Sequence, residues 1–113
     1  SFNWISVIRL PDFITKKDFE WAIEKATRKK NLDCSEAEFL TIEEGLCVQI
    51  MHIGSFDNEP ESVATMDAFL EENGYENDIN EKRLHHEIYM SDARKVVPEK
   101  WETVIRHPIK RKQ

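Results

Sequence analysis

Apolar and polar residues alternate along this chain in two rhythms, and the rhythm changes where turn and capping residues stand. Residues 3–10, Asn3-Trp-Ile-Ser-Val-Ile-Arg-Leu10, are rich in β-branched and aromatic side chains and stop at Pro11, which predicts a strand. Thr15, with Asp18 three residues later, opens a helix by a capping box. Phe19, Ala22, Ile23 and Ala26 then recur at helical spacing, and Arg28, Lys29 and Lys30 crowd the last turn, where cations oppose the helix dipole. A polar loop over 31–36 leads to a second β-rich run, 38–42. Glu43-Glu44-Gly45 separates it from a third, 46–53, which is a hairpin pattern. Pro60 suits the first turn of a second helix, Val63, Met66, Phe69 and Leu70 give it an apolar stripe, and Asn73-Gly74 closes it near residue 73. Two further strands, 83–90 and 101–107, complete the order β-α-β-β-α-β-β, with Pro108 expected to end the last one. The fold class is α+β, an antiparallel sheet with helices packed on one face.

An internal similarity adds to this order. Trp4-Ile-Ser-Val-Ile-Arg-Leu-Pro11 aligns without gaps to Trp101-Glu-Thr-Val-Ile-Arg-His-Pro108, with identity at five of eight positions. Shared Val and Ile are common in strands; Trp and Pro at matching ends are less so. The copies lie 97 residues apart, so the first strand reads as the last strand of an earlier repeat. On this reading residues 1–43 are the end of a first repeat and a connecting helix, and 44–110 are a second repeat. A chain holding one repeat and the tail of another leaves an unpaired edge, so self-association is expected.

Composition narrows the function classes. The 113 residues are 40% apolar and 34% charged, a globular balance for one domain. No apolar run approaches the roughly 20 residues that cross a bilayer, and no signal peptide opens the chain, which favours the cytoplasm and no membrane partner. A net charge of −6 argues against direct nucleic-acid binding, which needs a basic field. Cys34 and Cys47 form no CxxC pair, and His85-His86, being adjacent on a strand, point to opposite faces and cannot chelate one ion together. No metal and no cofactor is expected. With three glycines, no phosphate loop is present.

Strand alternation places His85, Glu87, Tyr89 and Ser91 on one face, with Leu84, His86, Ile88 and Met90 on the other. If the polar face is solvated, nothing more is required of it. If it is covered, Glu87 and Tyr89 are neighbours in a pocket, and without a cationic partner the Glu87 pKa is expected above the usual value of about 4.3. Trp4, Trp21 and Trp101 read first as packing residues, with Trp4 also able to line an apolar pocket. His52 and His107 read as packing or hydrogen-bonding residues.

These residues also carry a family resemblance. Leu84-His-His-Glu-Ile-Tyr-Met-Ser-Asp92, with Pro98-Glu-Lys100 and Val104-Ile-Arg-His-Pro-Ile109, resembles the end of GyrI-like domain proteins, which have an x-E-[IV]-Y-[LM] strand, a short loop and a last strand running into Pro. Cys47 to Phe56 is similar to the family's His-x-Gly-x-aromatic strand end, and Trp4–Phe13 with Glu43–Leu46 resembles its stand-alone bacterial branch. The resemblance implies two tandem repeats about a pseudo-twofold, with a small-molecule pocket between them. It carries the family's pocket glutamate onto Glu87 and the aromatic two residues later onto Tyr89. The implied function is binding of hydrophobic, aromatic or cationic small molecules, with Glu87, Tyr89, Trp4 and His85 as ligand-binding residues. Two alternatives follow from the same family. One is hydrolysis of cyclopropane-containing DNA-alkylating toxins, with Glu87 and Tyr89 catalytic; the other is a protein-interaction module acting on gyrase.

Overall fold

A computed structural model describes residues 5–31 and 33–113, which form two compact units, 1–41 and 42–113. In the first, α1 spans Lys16–Lys30. Its capping box is formed as expected: the Thr15 hydroxyl accepts from the Asp18 amide at 3.3 Å, and the Asp18 carboxylate accepts from the Thr15 amide at 2.9 Å. Phe19 packs on Phe39 with ring centroids 5.7 Å apart. No residue of α1 is fully buried. The runs 5–10 and 38–42, expected as strands, form none. Their composition favours extended backbone, but a strand exists only when a partner takes up its amides and carbonyls. Residues 5–10 find no such partner among the described residues, and Ile5 and Ile8 are exposed.

The second unit is built on one long strand, β4 (Glu102–Arg111), with β1 (Cys47–Ile53) antiparallel along one edge. Along the other edge lie β3 (His86–Tyr89), opposite residues 103–106, and β2 (Tyr75–Asn77), opposite 109–111. The fold is therefore α+β with an antiparallel sheet, as the sequence predicts. The last strand does not end at Pro108. The Pro108 carbonyl accepts from the Asp78 amide on the β2 side at 2.8 Å. Continuing the β2–β4 register by one residue sets Asp78 opposite Pro108, so the missing N–H would have met the Asp78 carbonyl, which accepts instead from the Asn80 side-chain amide at 2.9 Å. The ladder loses that one bond at the end of β2, and β4 continues to Arg111.

α2 (Glu59–Asn73) packs on β1 and β2, with Pro60 in its first turn and Gly74 at φ 79° as its left-handed cap. Met66 and Leu70 of α2, with Ile105 and Ile109 of β4, are the buried apolar core among the described residues. His52 ties β1 to the helix. Its Nε2–H donates to the Ser55 carbonyl at 2.7 Å, so its Nδ1 accepts from the Ser62 hydroxyl at 2.7 Å. Among the described residues no helix is long and apolar enough to cross a membrane.

Candidate functional site

The pairing of β3 with β4 decides which way Glu87 points. Glu87 lies opposite Ile105 and Tyr89 opposite Thr103, two residues buried on the face that carries α2. The polar set of β3 is thus on the covered face, beside the first turn of α2. Ile88, opposite Val104, takes the other face.

Glu87 stands at the centre of a group of donors. The Tyr89 hydroxyl donates to its Oε2 at 3.0 Å, and His85 Nε2 lies 3.4 Å from its Oε1. The carboxyl of Glu59, in the first turn of α2, faces it. Continuing the β3–β4 register by one residue sets His85 opposite His107, and their rings meet with Nδ1 of His85 2.7 Å from Nε2 of His107. Beside the carboxylate stands an aromatic wall. Phe56 packs on Trp101 at 4.9 Å and on Tyr89 at 5.7 Å, and Trp101 is anchored by its indole N–H to the Val96 carbonyl at 2.7 Å. The wall is half open: Tyr89 is 59% and Phe56 44% exposed.

The charge state of this group differs from the expectation. Burial pushes Glu87 up, but hydrogen bonds from Glu59, Tyr89 and His85 outweigh it and hold the carboxyl below its usual range. The raised carboxyl is Glu59, pushed up to about 7 by burial first, then by the hydrogen bond and charge of Glu87. Two facing carboxylates share one proton, and here it stays on Glu59. A protonated Glu59 donates to Glu87, while its Oε1 is buried without a partner. Tyr89 is raised by burial and by the neighbouring Glu87 charge. His107 is lowered by burial and by His85, against a smaller pull upward from Asp67.

A pH dependence follows. The folded pKa of Glu59 lies above its ordinary value of 4.5, so between 4.5 and about 7 the folded protein keeps a proton that the unfolded chain has released. That contribution to stability is complete below about 4.5 and is lost as pH rises through about 7. Urea midpoints at pH 5 and pH 8 should therefore fall more steeply for the wild type than for Glu59→Gln, whose amide mimics the protonated acid. Equal pH dependence in the two proteins would contradict the shared proton.

Of the residues expected to bind ligand, Glu87, Tyr89 and His85 come together, and Trp4 lies outside the described residues. His107 belongs to the same cluster. The sequence reading missed Glu59, which stands 28 positions from Glu87 with no motif linking them. It also missed Phe56 and Trp101 as a wall. The groove along Trp21, Lys25, Arg28 and Lys29 is an open indentation of one helix and contains none of these groups.

The fold and this arrangement define an α+β domain that presents a carboxylate beside aromatic rings on an antiparallel sheet. A profile of the GyrI-like small molecule binding domain matches residues 12–110, and the chain belongs to that family. Solved structures similar to it include a hydrolase from Listeria innocua, 46% identical with a TM-score of 0.84 over 90% of this chain and 52% of that one. An uncharacterized conserved protein from the same organism is 47% identical, TM-score 0.85, covering 90% and 50%. Another Listeria innocua hydrolase structure is 46% identical, TM-score 0.82, covering 90% and 50%. The chain spans about half the length of these solved proteins. No curated protein matches it.

Proposed function

We propose that the small molecule bound by this GyrI-like domain is aromatic and cationic, held with its charge at Glu87 and its apolar body against Tyr89, Phe56 and Trp101. The observation that supports this reading is a partly buried carboxylate, held in its charged form by three donors, beside an open aromatic wall. Apolar contact would supply most of the affinity, and the carboxylate would set charge preference and orientation. These residues all lie in the second of two tandem repeats, and a first repeat stands before it. In this reading residues 1–43 are the end of that repeat with its connecting helix, 44–110 are the second repeat, and the chain is the C-terminal part of the domain.

A second reading, hydrolysis of a strained electrophile such as a cyclopropane, is favoured by the protonated Glu59 beside an ionised Glu87. Such a pair offers an acid and a base at one place, with Tyr89 able to hold the substrate or stabilise developing negative charge. The similarity to two Listeria innocua hydrolase structures supports it further.

The experiment is calorimetric titration of the full-length protein and its Glu87→Gln variant with benzyltrimethylammonium and with neopentylbenzene, which differ only in N⁺ against C. The cation should lose affinity in the variant while the hydrocarbon keeps it. Equal affinities in both proteins would sink the assignment of Glu87.

A further inference from the structure

The His85–His107 contact fixes more than packing. Two imidazole nitrogens 2.7 Å apart need one hydrogen between them, so one ring donates and the other accepts. Two arrangements of neutral rings meet that condition. If His85 donated from Nδ1, its bare Nε2 would face the Glu87 carboxylate, lone pair against lone pair, at 3.4 Å. His107, accepting at Nε2, would then carry its hydrogen on Nδ1. That atom is buried with no partner, in a residue only 6% exposed. An orphaned buried donor is costlier than an orphaned acceptor. The reverse arrangement avoids both penalties. His107 donates from Nε2 to Nδ1 of His85, and His85 therefore carries its hydrogen on Nε2, the nitrogen 3.4 Å from Glu87 Oε1.

We infer that His107 is a positioning residue for Glu87, acting through the His85 tautomer it imposes. The inference rests on the reading of Glu87 as the ligand-facing carboxylate, and it changes the part played by His85 from ligand contact to orienter. The chain His107→His85→Glu87 is directed along its length, and Tyr89 and Glu59 add two more donors at the same carboxylate. It runs in one direction only. The groups facing this chain are Glu59 and Asp67 from α2 and Tyr89 from β3, and burial with the neighbouring His85 lowers His107 against the upward pull of Asp67.

The direct test is ¹⁵N spectroscopy of the ring nitrogens in the wild-type protein at pH 8. The expected result is a bare Nδ1 and a protonated Nε2 in both rings, with coupling across the hydrogen bond between His107 Nε2 and His85 Nδ1. A protonated Nδ1 in either ring overturns the proposal. Two variants then test the consequence for Glu87. His107→Leu removes the donor and should raise the Glu87 titration midpoint, followed on its carboxyl carbon, by at least about half a unit. His107→Gln, whose amide nitrogen stands near the place of Nε2, should return it toward the wild-type value. Should neither variant fold, the wild-type spectrum still decides. The expected tautomers, together with ligand binding indifferent to Glu87→Gln, would refute the functional reading and leave the relay standing. The opposite tautomers with binding sensitive to Glu87→Gln would refute the relay alone.

Discussion

In the full-length protein, Glu87→Gln is expected to cut the affinity of an aromatic cation by about 10-fold or more and to leave a neutral aromatic ligand within about 2-fold. The substitution keeps the shape of the side chain and still accepts one hydrogen bond from Tyr89. What it removes is the negative charge and the basicity. If the hydrolytic reading holds, turnover of a cyclopropane-containing substrate should fall by at least about 100-fold, the low end for a positioned acid or base, while binding of the neutral ligand survives. A loss of binding for charged and neutral ligands alike, with unchanged stability, would mean that Glu87 shapes the site rather than handling charge or protons.

The largest effect on stability is expected at Arg83, which the sequence places only at the start of the strand expected over 83–90. Its guanidinium gathers the carbonyls of Glu44, Leu46 and Ile109 and the Asp78 carboxylate, the last at 2.7 Å. It thereby ties the entry of β1 to the end of β4 and to the turn before β3. The side chain is 22% exposed and Asp78 28%, so removing the cation leaves a carboxylate and three carbonyls poorly solvated. Arg83→Met should cost about 2–4 kcal/mol, read as a lowered urea midpoint with an unchanged slope. Arg83→Lys should recover only part of it, since one ammonium cannot replace a planar fork. Gly45 depends on the same contact. At φ 66° an added Cβ would be strained and would stand 3.3 Å from the guanidinium. A loss below about 0.5 kcal/mol for Arg83→Met would show that water replaces the guanidinium freely.

What was legible in the sequence was what local chemistry decides. The Thr15 capping box, Pro60 and Gly74 bracket the two helices, and the alternation over residues 84–91 places Glu87 and Tyr89 on one face. Partnership was not legible. Residues 5–10 have the composition of a strand, yet they have no ladder among the described residues, whereas the polar segment Tyr75–Asn77 is a strand because the end of β4 lies beside it. Pro108 reads as a terminator, yet its missing N–H costs the ladder one bond opposite Asp78, and β4 runs on past it. The same limit governs the site. Glu59 reads as one more acidic residue at a helix start, and only the packing of α2 on the sheet brings it to Glu87. That neighbour, with the donors Tyr89 and His85, reverses the expected direction of the Glu87 shift.

The central claim is that Glu87 is the carboxylate that meets the ligand. The most direct measurement is ¹³C spectroscopy of the side-chain carboxyls in full-length protein labelled at glutamate, titrated with benzyltrimethylammonium. The account predicts that the Glu87 resonance moves saturably and furthest, that Glu59 follows it through the shared proton, and that neopentylbenzene perturbs Phe56, Tyr89 and Trp101 while leaving the Glu87 carboxyl in place. A saturable cation response at other glutamates with Glu87 unmoved would contradict it.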